Sequence, residues 1–317
     1  MIHAVISGTG SYLPSKVLTN QALESQLDTT HEWIYSRTGI ARRHIAERHE
    51  TGSFMAKESA IIALEAANLA ADDIDMIIVA TCTPDNFFPM TACQVQYDLN
   101  IKKPIPAFDV SAACSGFIYV LDIARQYIAT GSAKHILVIG SEVMSKAVNW
   151  QDRGSCVLFG DGAGAMVLSA STKPGILASI IHAQHDKDLY LYYPNLLASP
   201  DGKKISMQGS EVFKLAVNIM GGIVDEVLEK AGLKQEDIDW LVPHQANIRI
   251  INAIAKKLNL PLSRVVTTIE DQGNTSAGSI PLALDTAIRQ GMIKRGDKLL
   301  LESFGAGLTW GAVVVQY

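Results

Sequence analysis

The chain of 317 residues contains an internal repeat that limits the folds open to it. Residues 64–75 read LEAANLAADDID and residues 228–239 read LEKAGLKQEDID, so seven of twelve positions are identical at an offset of 164 residues. Each copy has the pattern of a helix end, an acidic turn and then an apolar strand, at 76–80 in the first copy and 240–243 in the second. The repeat predicts a duplicated fold of two related halves.

A second pair of segments supports the duplication. Residues 131–142 and 291–302 both read as a helix end followed by an apolar strand. Each is followed by a glycine-rich turn into a further apolar strand, at 160–168 and 305–315. Strands that are apolar throughout and alternate with helical segments are typical of sheets covered by helices on both faces. The sequence therefore predicts an α/β protein.

We expect the halves to meet near residue 170, giving one domain at 1–170 and another at 171–317. Residues 28–45 and 184–209 have no counterpart in the other half. Insertions into a duplicated core usually form loops, and loops often carry specificity.

Composition and charge exclude several other classes of protein. The chain is 48% hydrophobic and 19% charged, which is typical of a globular protein, and its net charge of −5 argues against general binding of nucleic acid or an anionic membrane. The four cysteines, at 82, 93, 114 and 156, lack CxxC spacing, so neither a zinc site nor a disulfide framework is expected. The sequence begins with a strand pattern and has no apolar run of the roughly 20 residues that a membrane helix needs. We expect a cytoplasmic protein with no membrane or metal.

Cys114 lies where a strand-like stretch gives way to a predicted helix that continues to Ala129. Free backbone N–H groups and the helix dipole stabilise an anion at a helix N-terminus, and they can lower the pKa of a cysteine to roughly 3.5–7.5. A buried structural cysteine is the alternative, because free cysteine is among the most buried residue types. If the first interpretation holds, Cys114 is a nucleophile.

Two polar residues at similar junctions could act with this cysteine. His244 follows the second repeat strand at the position that corresponds to Ala80, so the fold itself does not require a histidine there. Asn274 lies in a glycine-bracketed turn before a helical segment, where a turn or capping role is the alternative. Ligands bind beyond the carboxyl ends of strands in open α/β sheets, and the glycine turn at 305–307 offers N–H groups for an oxyanion. The set predicts acyl transfer.

These motifs resemble the signatures of the β-ketoacyl-acyl carrier protein synthase III family: DVSAACSG at 109–116, PHQAN at 243–247, GNTSA at 273–277 and ESFGAG at 302–307. The resemblance runs from GTGSYLP at 8–14 to the C-terminus. It implies a thiolase-like fold of two duplicated βαβ-rich halves in a layered α-β-α-β-α core, usually a homodimer. It also implies a decarboxylating condensation that initiates fatty acid synthesis.

The resemblance implies a role for each member of the site. Cys114 would attack a short acyl-CoA primer, with acetyl-CoA expected, and hold the acyl group. His244 and Asn274 would bind the thioester carbonyl of malonyl-acyl carrier protein and stabilise the enolate left after carbon dioxide departs. The N–H groups of Cys114 and Gly307 would receive the acyl-enzyme oxyanion. No cofactor is implied, since the coenzyme A thioester is a substrate.

Further positions match the family's binding residues. Trp33, Arg37, Arg153 and Asn247 would bind coenzyme A, for which aromatic stacking and guanidinium–phosphate bonding are suitable. Phe88 resembles an aromatic residue that caps the acyl pocket from the neighbouring subunit.

The segment after His244 is predicted to bind the acidic acyl carrier protein. It reads as an amphipathic helix with a basic side, and opposite charge would attract the carrier in spite of the net negative charge. The implied contacts are Gln245, Ala246, Asn247, Ile248 and Arg249.

Three alternatives stay open. One is a related condensing enzyme of polyketide or quinolone type with another primer or extender. A papain-like protease also uses cysteine, histidine and asparagine in that order, but no internal duplication is expected of it. The third is an acyl-carrier-binding protein without catalysis, which retention of all three polar residues disfavours.

Overall fold

A computed structural model describes residues 2–195 and 202–317, so the predicted insertion at 184–209 falls partly outside the described residues. The strands in these ranges are β1 (His3–Tyr12), β2 (Val17–Thr19), β3 (Arg42–His44), β4 (Met76–Ala80), β5 (Ala107–Val110), β6 (His135–Val143), β7 (Asp161–Ser171), β8 (Ile176–Ala183), β9 (Leu191–Tyr192), β10 (Ser206–Met207), β11 (Trp240–Pro243), β12 (Lys298–Gly305) and β13 (Thr309–Gln316). The α-helices are α1 (Asn20–Glu24), α2 (His31–Thr38), α3 (Gly52–Ala67), α4 (Thr91–Asp98), α5 (Gly116–Ala129), α6 (Gly209–Ala231), α7 (Ile248–Lys257), α8 (Ile269–Gln272) and α9 (Ser279–Arg289).

Two sheets of the same topology confirm the predicted duplication. The first has the order β1-β7-β6-β4-β5, and the second, read in the same direction, has the order β8-β13-β12-β11. In each sheet the strand that directly follows the repeat is parallel to its neighbour: β4 to β6 in the first sheet and β11 to β12 in the second. The glycine-rich strands β7 and β13 run antiparallel to their neighbours. The second sheet has only an isolated parallel bridge between Leu241 and Val265 where the first has β5.

Helices form three layers around the two sheets, which gives the implied α-β-α-β-α core. Helix α3 packs on β1, β6 and β7, and α6 packs on β8, β12 and β13. Helices α5 and α9 lie between the sheets and contact strands of both. The class and the layering are therefore as predicted.

Helix α5 buries its apolar side chains between the two sheets. Phe117, Ile118 and Leu121 have no exposed surface. Burial of side chains of this size stabilises the fold by about 1.5–3 kcal/mol each. This packing fixes the start of α5, which directly follows Cys114, against the second half of the molecule.

The connection between the sheets is short. β7 ends at Ser171 and β8 begins at Ile176. The exact boundary between the predicted domains, at residue 170, stays a prediction. None of the described helices combines the length and the apolar character needed to cross a bilayer.

Candidate active site

Cys114 lies in a 3₁₀ turn, Ala113–Ser115, between β5 and α5. The predicted helix through Ala129 is confirmed. Ala113 has a φ of 48°, in the left-handed region that residues with a side chain rarely adopt. Strained backbone of this kind persists only where the surrounding structure holds it in place, and it is common at functional sites.

The second half of the molecule holds the Cys114 backbone from the other side. Ser303 Oγ donates to the Cys114 carbonyl at 2.8 Å. A Cβ on Gly305 would lie 2.8 Å from the Cys114 nitrogen, so only glycine allows β12 to approach the start of α5 this closely. The turn at 305–307 thus lies beside the Cys114 N–H, whereas the oxyanion role of Gly307 stays a prediction.

The pKa of the Cys114 thiol differs from the value that the sequence predicts. Burial raises the pKa of Cys114 to about 11, although the neighbouring Ser276 side chain acts in the opposite direction. The expected low pKa is therefore wrong for the resting protein. The helix N-terminus favours a thiolate, but removal of the sulfur from water costs more than those N–H groups recover.

His244 follows β11 and is 3% exposed. Its Nδ1 lies 2.6 Å from Ser279 Oγ, at the start of α9, and burial lowers the pKa of His244 to about 3. The Gln245 N–H points to the same hydroxyl oxygen at 3.4 Å, so the Ser279 proton is available for Nδ1. A neutral imidazole that accepts at Nδ1 carries its proton on Nε2, where it can donate to an oxyanion.

Asn274 is held by both its backbone and its side chain. The backbone forms a short parallel bridge in which its N–H donates to the Leu158 carbonyl at 2.8 Å and its carbonyl accepts from Gly160 N–H at 3.0 Å. Its Oδ1 accepts from Ser276 N–H at 2.8 Å. The amide Nδ2 is thereby left as a donor for a ligand.

Cys114, His244 and Asn274 line one cavity of about 110 Å³. The rest of the lining is largely apolar and comes from α6 and the neighbouring segments, including Phe159, Phe213, Ala216, Met220 and Phe304. The structure therefore brings together three residues that lie 130 and 30 positions apart in the chain. An apolar cavity with a few convergent polar groups is the usual form of a small-molecule site.

Two buried carboxyl groups near this cavity were not predicted. Glu142 on β6 and Glu302 on β12 have no exposed surface, and burial raises the pKa of Glu142 to about 7 and that of Glu302 to about 8. They end the two segments 131–142 and 291–302 that revealed the second repeat. A charged residue at the same place in two apolar strands was the signal that could have identified them.

The four residues predicted to bind coenzyme A are brought together beside the cavity. The guanidinium carbons of Arg37 and Arg153 lie 4.6 and 4.9 Å from the ring centroid of Trp33. Asn247, which lines the cavity, donates from Nδ2 to the Arg37 carbonyl at 2.9 Å. Their ligand-binding role stays a prediction.

Phe88 does not line the cavity of its own chain. It is 85% exposed, and Phe87 beside it is 61% exposed. Exposed aromatic side chains of this size are more typical of an interface than of a free surface.

The predicted carrier-binding segment needs one correction. Gln245 is buried, donates from Nε2 to the Pro243 and Val266 carbonyls, and accepts at Oε1 from Thr268 N–H at 2.8 Å. Its side chain connects the segment at His244 to the segment at Val266 and Thr268, and it is too deeply buried to contact a carrier protein. Arg249 is exposed at the start of α7, where its guanidinium carbon lies 5.4 Å from the centroid of the Phe213 ring.

Across residues 2–195 and 202–317, no group of three His, Cys, Asp or Glu side chains is arranged to hold a metal ion. Two duplicated halves with cysteine, histidine and asparagine around one cavity define a condensing enzyme of the thiolase-like class, which transfers acyl groups.

Comparison with known proteins narrows the class to one family. A family model described as 3-oxoacyl-[acyl-carrier-protein (ACP)] synthase III matches residues 108–185, and the model of its C-terminal part matches residues 228–317. The chain is 55% identical over 317 residues to the β-ketoacyl-[acyl-carrier-protein] synthase III of Methylococcus capsulatus (strain ATCC 33009 / NCIMB 11132 / Bath), covering 98% of both chains. The chain belongs to the β-ketoacyl-acyl carrier protein synthase III family.

Solved structures agree with this assignment. The crystal structure of 3-oxoacyl-[acyl-carrier-protein] synthase III from Aquifex aeolicus VF5 matches with a TM-score of 0.94 at 51% identity, over 99% of this chain and 100% of that one. The priming β-ketosynthase of the R1128 polyketide pathway also matches with a TM-score of 0.94, at 35% identity, over 99% of this chain and 96% of that one. The chain therefore shares its fold with a 3-oxoacyl-[acyl-carrier-protein] synthase III and with a priming ketosynthase of a polyketide pathway.

Proposed function

We propose that the protein condenses a short acyl-CoA primer, acetyl-CoA in particular, with malonyl-acyl carrier protein and so initiates fatty acid synthesis in the cytoplasm. The observation that carries the proposal is the small apolar cavity that Cys114, His244 and Asn274 share. Its volume of about 110 Å³ suits a short acyl chain better than a long one.

The first half-reaction transfers the acyl group to the enzyme. The Cys114 sulfur attacks the thioester carbonyl carbon, the carbon–sulfur bond to coenzyme A breaks, and coenzyme A leaves as its thiol. The negative oxygen of the intermediate accepts from the Cys114 N–H and from Gly307 in the adjacent turn. Trp33 stacks on the adenine while Arg37 and Arg153 bind the phosphates.

The second half-reaction forms the new carbon–carbon bond. His244 Nε2–H and Asn274 Nδ2–H donate to the thioester oxygen of the malonyl group. The bond to the malonyl carboxylate breaks, carbon dioxide leaves, and the electron pair of that bond stays in the enolate. The enolate carbon attacks the acyl carbonyl on Cys114, the carbon–sulfur bond to the enzyme breaks, and the sulfur keeps that electron pair and takes up a proton from solvent. Neutral donors serve this step because an ionised acid would repel the malonyl carboxylate. No cofactor is needed.

Acyl carrier protein binds beside the cavity, on Ala246, Asn247, Ile248 and Arg249. The enzyme acts as a homodimer in which Phe88 of one subunit closes the cavity of the other. The exposed aromatic residues Phe87 and Phe88 support this arrangement.

Incubation with acetyl-CoA followed by intact-mass measurement tests the proposal. Wild-type protein and Cys93→Ala, which changes a cysteine away from the cavity, should gain one acetyl group, and Cys114→Ala should gain none. Cys114→Ala should still decarboxylate malonyl-acyl carrier protein, because His244 and Asn274 remain. Wild-type protein that no short acyl-CoA acylates would overturn the proposal.

A second candidate is the condensing enzyme of a polyketide pathway, which the match to the R1128 priming ketosynthase favours. Competition between acetyl-CoA and longer or branched acyl-CoA primers distinguishes the two. Selection of acetyl-CoA supports fatty acid initiation, and selection of a larger primer supports the alternative.

A further inference from the structure

Arg43 on β3 is a buried cation that the proposed reaction does not use. Its side chain has no exposed surface, and it is the largest side chain buried to this degree in the part of the chain that the structure describes. Within residues 2–195 and 202–317 no carboxylate lies within salt-bridge distance of it, since its hydrogen-bond partners are all uncharged oxygens. Burial lowers the pKa of Arg43 to about 10, so the guanidinium stays charged at neutral pH. A charge removed from water is costly, and the contacts of Arg43 must compensate for that cost.

The guanidinium joins β2 to the segment that precedes β7. Nη1 donates to the Leu18 carbonyl at 3.1 Å, and Nη2 donates to Asn20 Oδ1 at 2.9 Å. Nη2 also donates to the Val157 carbonyl at 2.7 Å, which lies 114 residues further along the chain than Arg43. A guanidinium group is planar and rigid, so it holds several oxygens at fixed relative positions. Arg43 therefore fixes the Val157 peptide relative to the pair of strands β2 and β3.

The Val157 peptide is next to the peptide that holds Asn274. The Leu158 carbonyl accepts from the Asn274 N–H at 2.8 Å, and the Gly160 N–H donates to the Asn274 carbonyl at 3.0 Å. Two successive carbonyls of one segment thus bond to Arg43 and to Asn274. A shift of the Val157 peptide would move Leu158 and, through it, the Asn274 backbone.

The stem of Arg43 also packs against this parallel bridge. A Cβ on Gly160 would lie 3.1 Å from the Arg43 Cβ, and a Cβ on Gly273 would lie 3.0 Å from the same atom. Both distances are shorter than ordinary van der Waals contact, so glycine at these two positions allows Arg43 to approach both chain segments. Gly273 directly precedes Asn274 in the sequence. Arg43 therefore contacts both segments whose pairing sets the position of Asn274.

Arginine is not the residue that packing alone favours at this position. Well-packed apolar residues of similar volume often stabilise a protein as well as buried ions do, or better. An apolar side chain cannot supply the N–H donors that hold the Val157 carbonyl close to Leu18 and Asn20. The contribution of Arg43 is therefore a fixed geometry that reaches Asn274.

We propose that Arg43 is a positioning residue that holds the Asn274 amide where it can donate to the thioester oxygen of the malonyl group. This inference rests on the proposed function. Asn274 Oδ1 accepts from Ser276 N–H, so the amide is oriented by the backbone that Arg43 helps to fix. Arg43 is not among the residues that line the cavity, and it acts only through Asn274.

Two substitutions at Arg43 separate its hydrogen bonds from its charge. Arg43→Met removes every donor and keeps an unbranched side chain that fills much of the same space. Arg43→Lys keeps the charge and its donors but lacks the planar fork, so it should restore only part of the geometry. The matched control is Arg42→Met, which changes the neighbouring residue of β3 and alters the net charge equally. Arg42 is exposed and pairs with Asp271 at 2.7 Å, and exposed pairs of this kind contribute little to stability.

The test compares the two half-reactions. Acetylation is followed by intact mass at saturating acetyl-CoA, because Arg153 lies four residues before Val157 and a displaced segment could weaken coenzyme A binding. Decarboxylation of malonyl-acyl carrier protein is measured in the Cys114→Ala background, so that no condensation follows. In Arg43→Met the kcat of decarboxylation should fall about 10- to 100-fold, the effect expected of a displacement of roughly 1 Å. The KM for the carrier substrate and the maximal rate of acetylation should change less than about threefold.

The control and the conservative variant give further expected results. Arg42→Met should match the parent protein in both half-reactions. Arg43→Lys should decarboxylate faster than Arg43→Met and more slowly than the parent. Equal losses of acetylation and decarboxylation in Arg43→Met would overturn the proposal, because a general distortion of the fold affects both half-reactions. Unchanged decarboxylation in Arg43→Met would overturn it as well.

A double-mutant cycle with Asn274→Ala tests whether Arg43 acts through Asn274. Arg43→Met should lower decarboxylation by less than about twofold when Asn274 is already alanine, because residues that act as a unit have non-additive effects. Additive losses would contradict the positioning role. If Arg43→Met does not fold, the same cycle with Arg43→Lys decides the question. Absence of both acetylation and decarboxylation in the protein with an intact Arg43 would instead contradict the proposed function itself.

Discussion

At the scale of single residues, the position of Cys114 could be predicted from the sequence, but the pKa of its thiol could not. The sequence predicts Cys114 as a nucleophile at a helix start, and the structure places it in the turn directly before α5, whereas its role stays a prediction. Its raised pKa depends on how deeply the cavity encloses the sulfur, which involves side chains from α6 and β12 far away in the chain. The residues next to Cys114 in the sequence therefore do not indicate how deeply its sulfur is buried.

Glu302 allows a prediction about stability. Neither of its carboxyl oxygens has a hydrogen-bond partner among the described residues, and burial raises the pKa of Glu302 to about 8 from its ordinary 4.5. The folded protein therefore keeps a proton that the unfolded chain releases above pH 4.5. The resulting destabilisation is absent below that pH and grows, on the order of a few kcal/mol, as the pH rises to 8.

Glu302→Gln removes this ionisation. Compared with the wild type, the variant should gain free energy of unfolding as the pH rises from 5 to 8.5, by a few kcal/mol, as measured by urea denaturation. Glu142 contributes a similar but smaller pH dependence in both proteins and cancels in the comparison. A wild-type pH dependence in Glu302→Gln would show that Glu302 is not neutral in the folded state.

At the scale of secondary structure, the strands were the most predictable elements. The predicted apolar segments at 76–80 and 240–243 coincide with β4 and β11, because both strands are largely buried, pair in parallel with their neighbours and read as continuous apolar runs. The loss of a β5 counterpart in the second half was not predictable, since one bridge at Leu241 and Val265 leaves no periodic pattern. The sequence misplaces Gln245 on the surface because two of its partners, Val266 and Thr268, lie 21 and 23 residues further along the chain.

Helix α7 carries the proposed contact with acyl carrier protein. Asn247 caps the helix by accepting from Arg249 N–H at 2.8 Å, which presents Arg249 at the exposed first turn beside the cavity. Charge reversal by Arg249→Glu should lower kcat/KM for malonyl-acyl carrier protein at least tenfold, because it replaces attraction to an acidic partner with repulsion. Acetylation by acetyl-CoA should change less than twofold.

Arg264→Glu is the matched control for this variant. Arg264 is an exposed arginine in the 3₁₀ turn after α7, so the same change of net charge occurs away from the proposed contact. The kcat/KM of this variant for malonyl-acyl carrier protein should stay near the wild-type value, because only the long-range attraction between enzyme and carrier is weakened. If both variants lose carrier activity equally, net charge and not the α7 surface accounts for the effect.

At the scale of the whole molecule, the duplication explains how residues from both halves meet at one cavity. Parallel strands of each sheet end at the same region, so Cys114 from the first half and His244 and Asn274 from the second line one space. The offset of 164 residues made this architecture predictable from the sequence. The residues that support the site, Ser276, Ser279 and Ser303, were missed because small hydroxyl residues near turns have no distinctive pattern.

The proposed dimer leads to a prediction that involves residues of both subunits. If Phe88 closes the cavity of the partner subunit, Phe88→Ala should enlarge that cavity and let the enzyme accept longer acyl-CoA primers at rates near those for acetyl-CoA. Primer competition followed by intact-mass measurement of the acylated protein gives the selectivity. Sedimentation at the assay concentration establishes that the species is a dimer.

A heterodimer of Phe88→Ala with Cys114→Ala, isolated with two different affinity tags, decides which subunit's Phe88 acts. Its only reactive cysteine belongs to the Phe88→Ala subunit, whereas the intact Phe88 belongs to the partner. Selectivity for acetyl-CoA should therefore return to that of a control heterodimer of wild-type and Cys114→Ala subunits. If the broadened selectivity persists, Phe88 acts on its own cavity, and because it lies 85% exposed and outside that cavity's lining, a rearrangement of the segment before α4 would then be required.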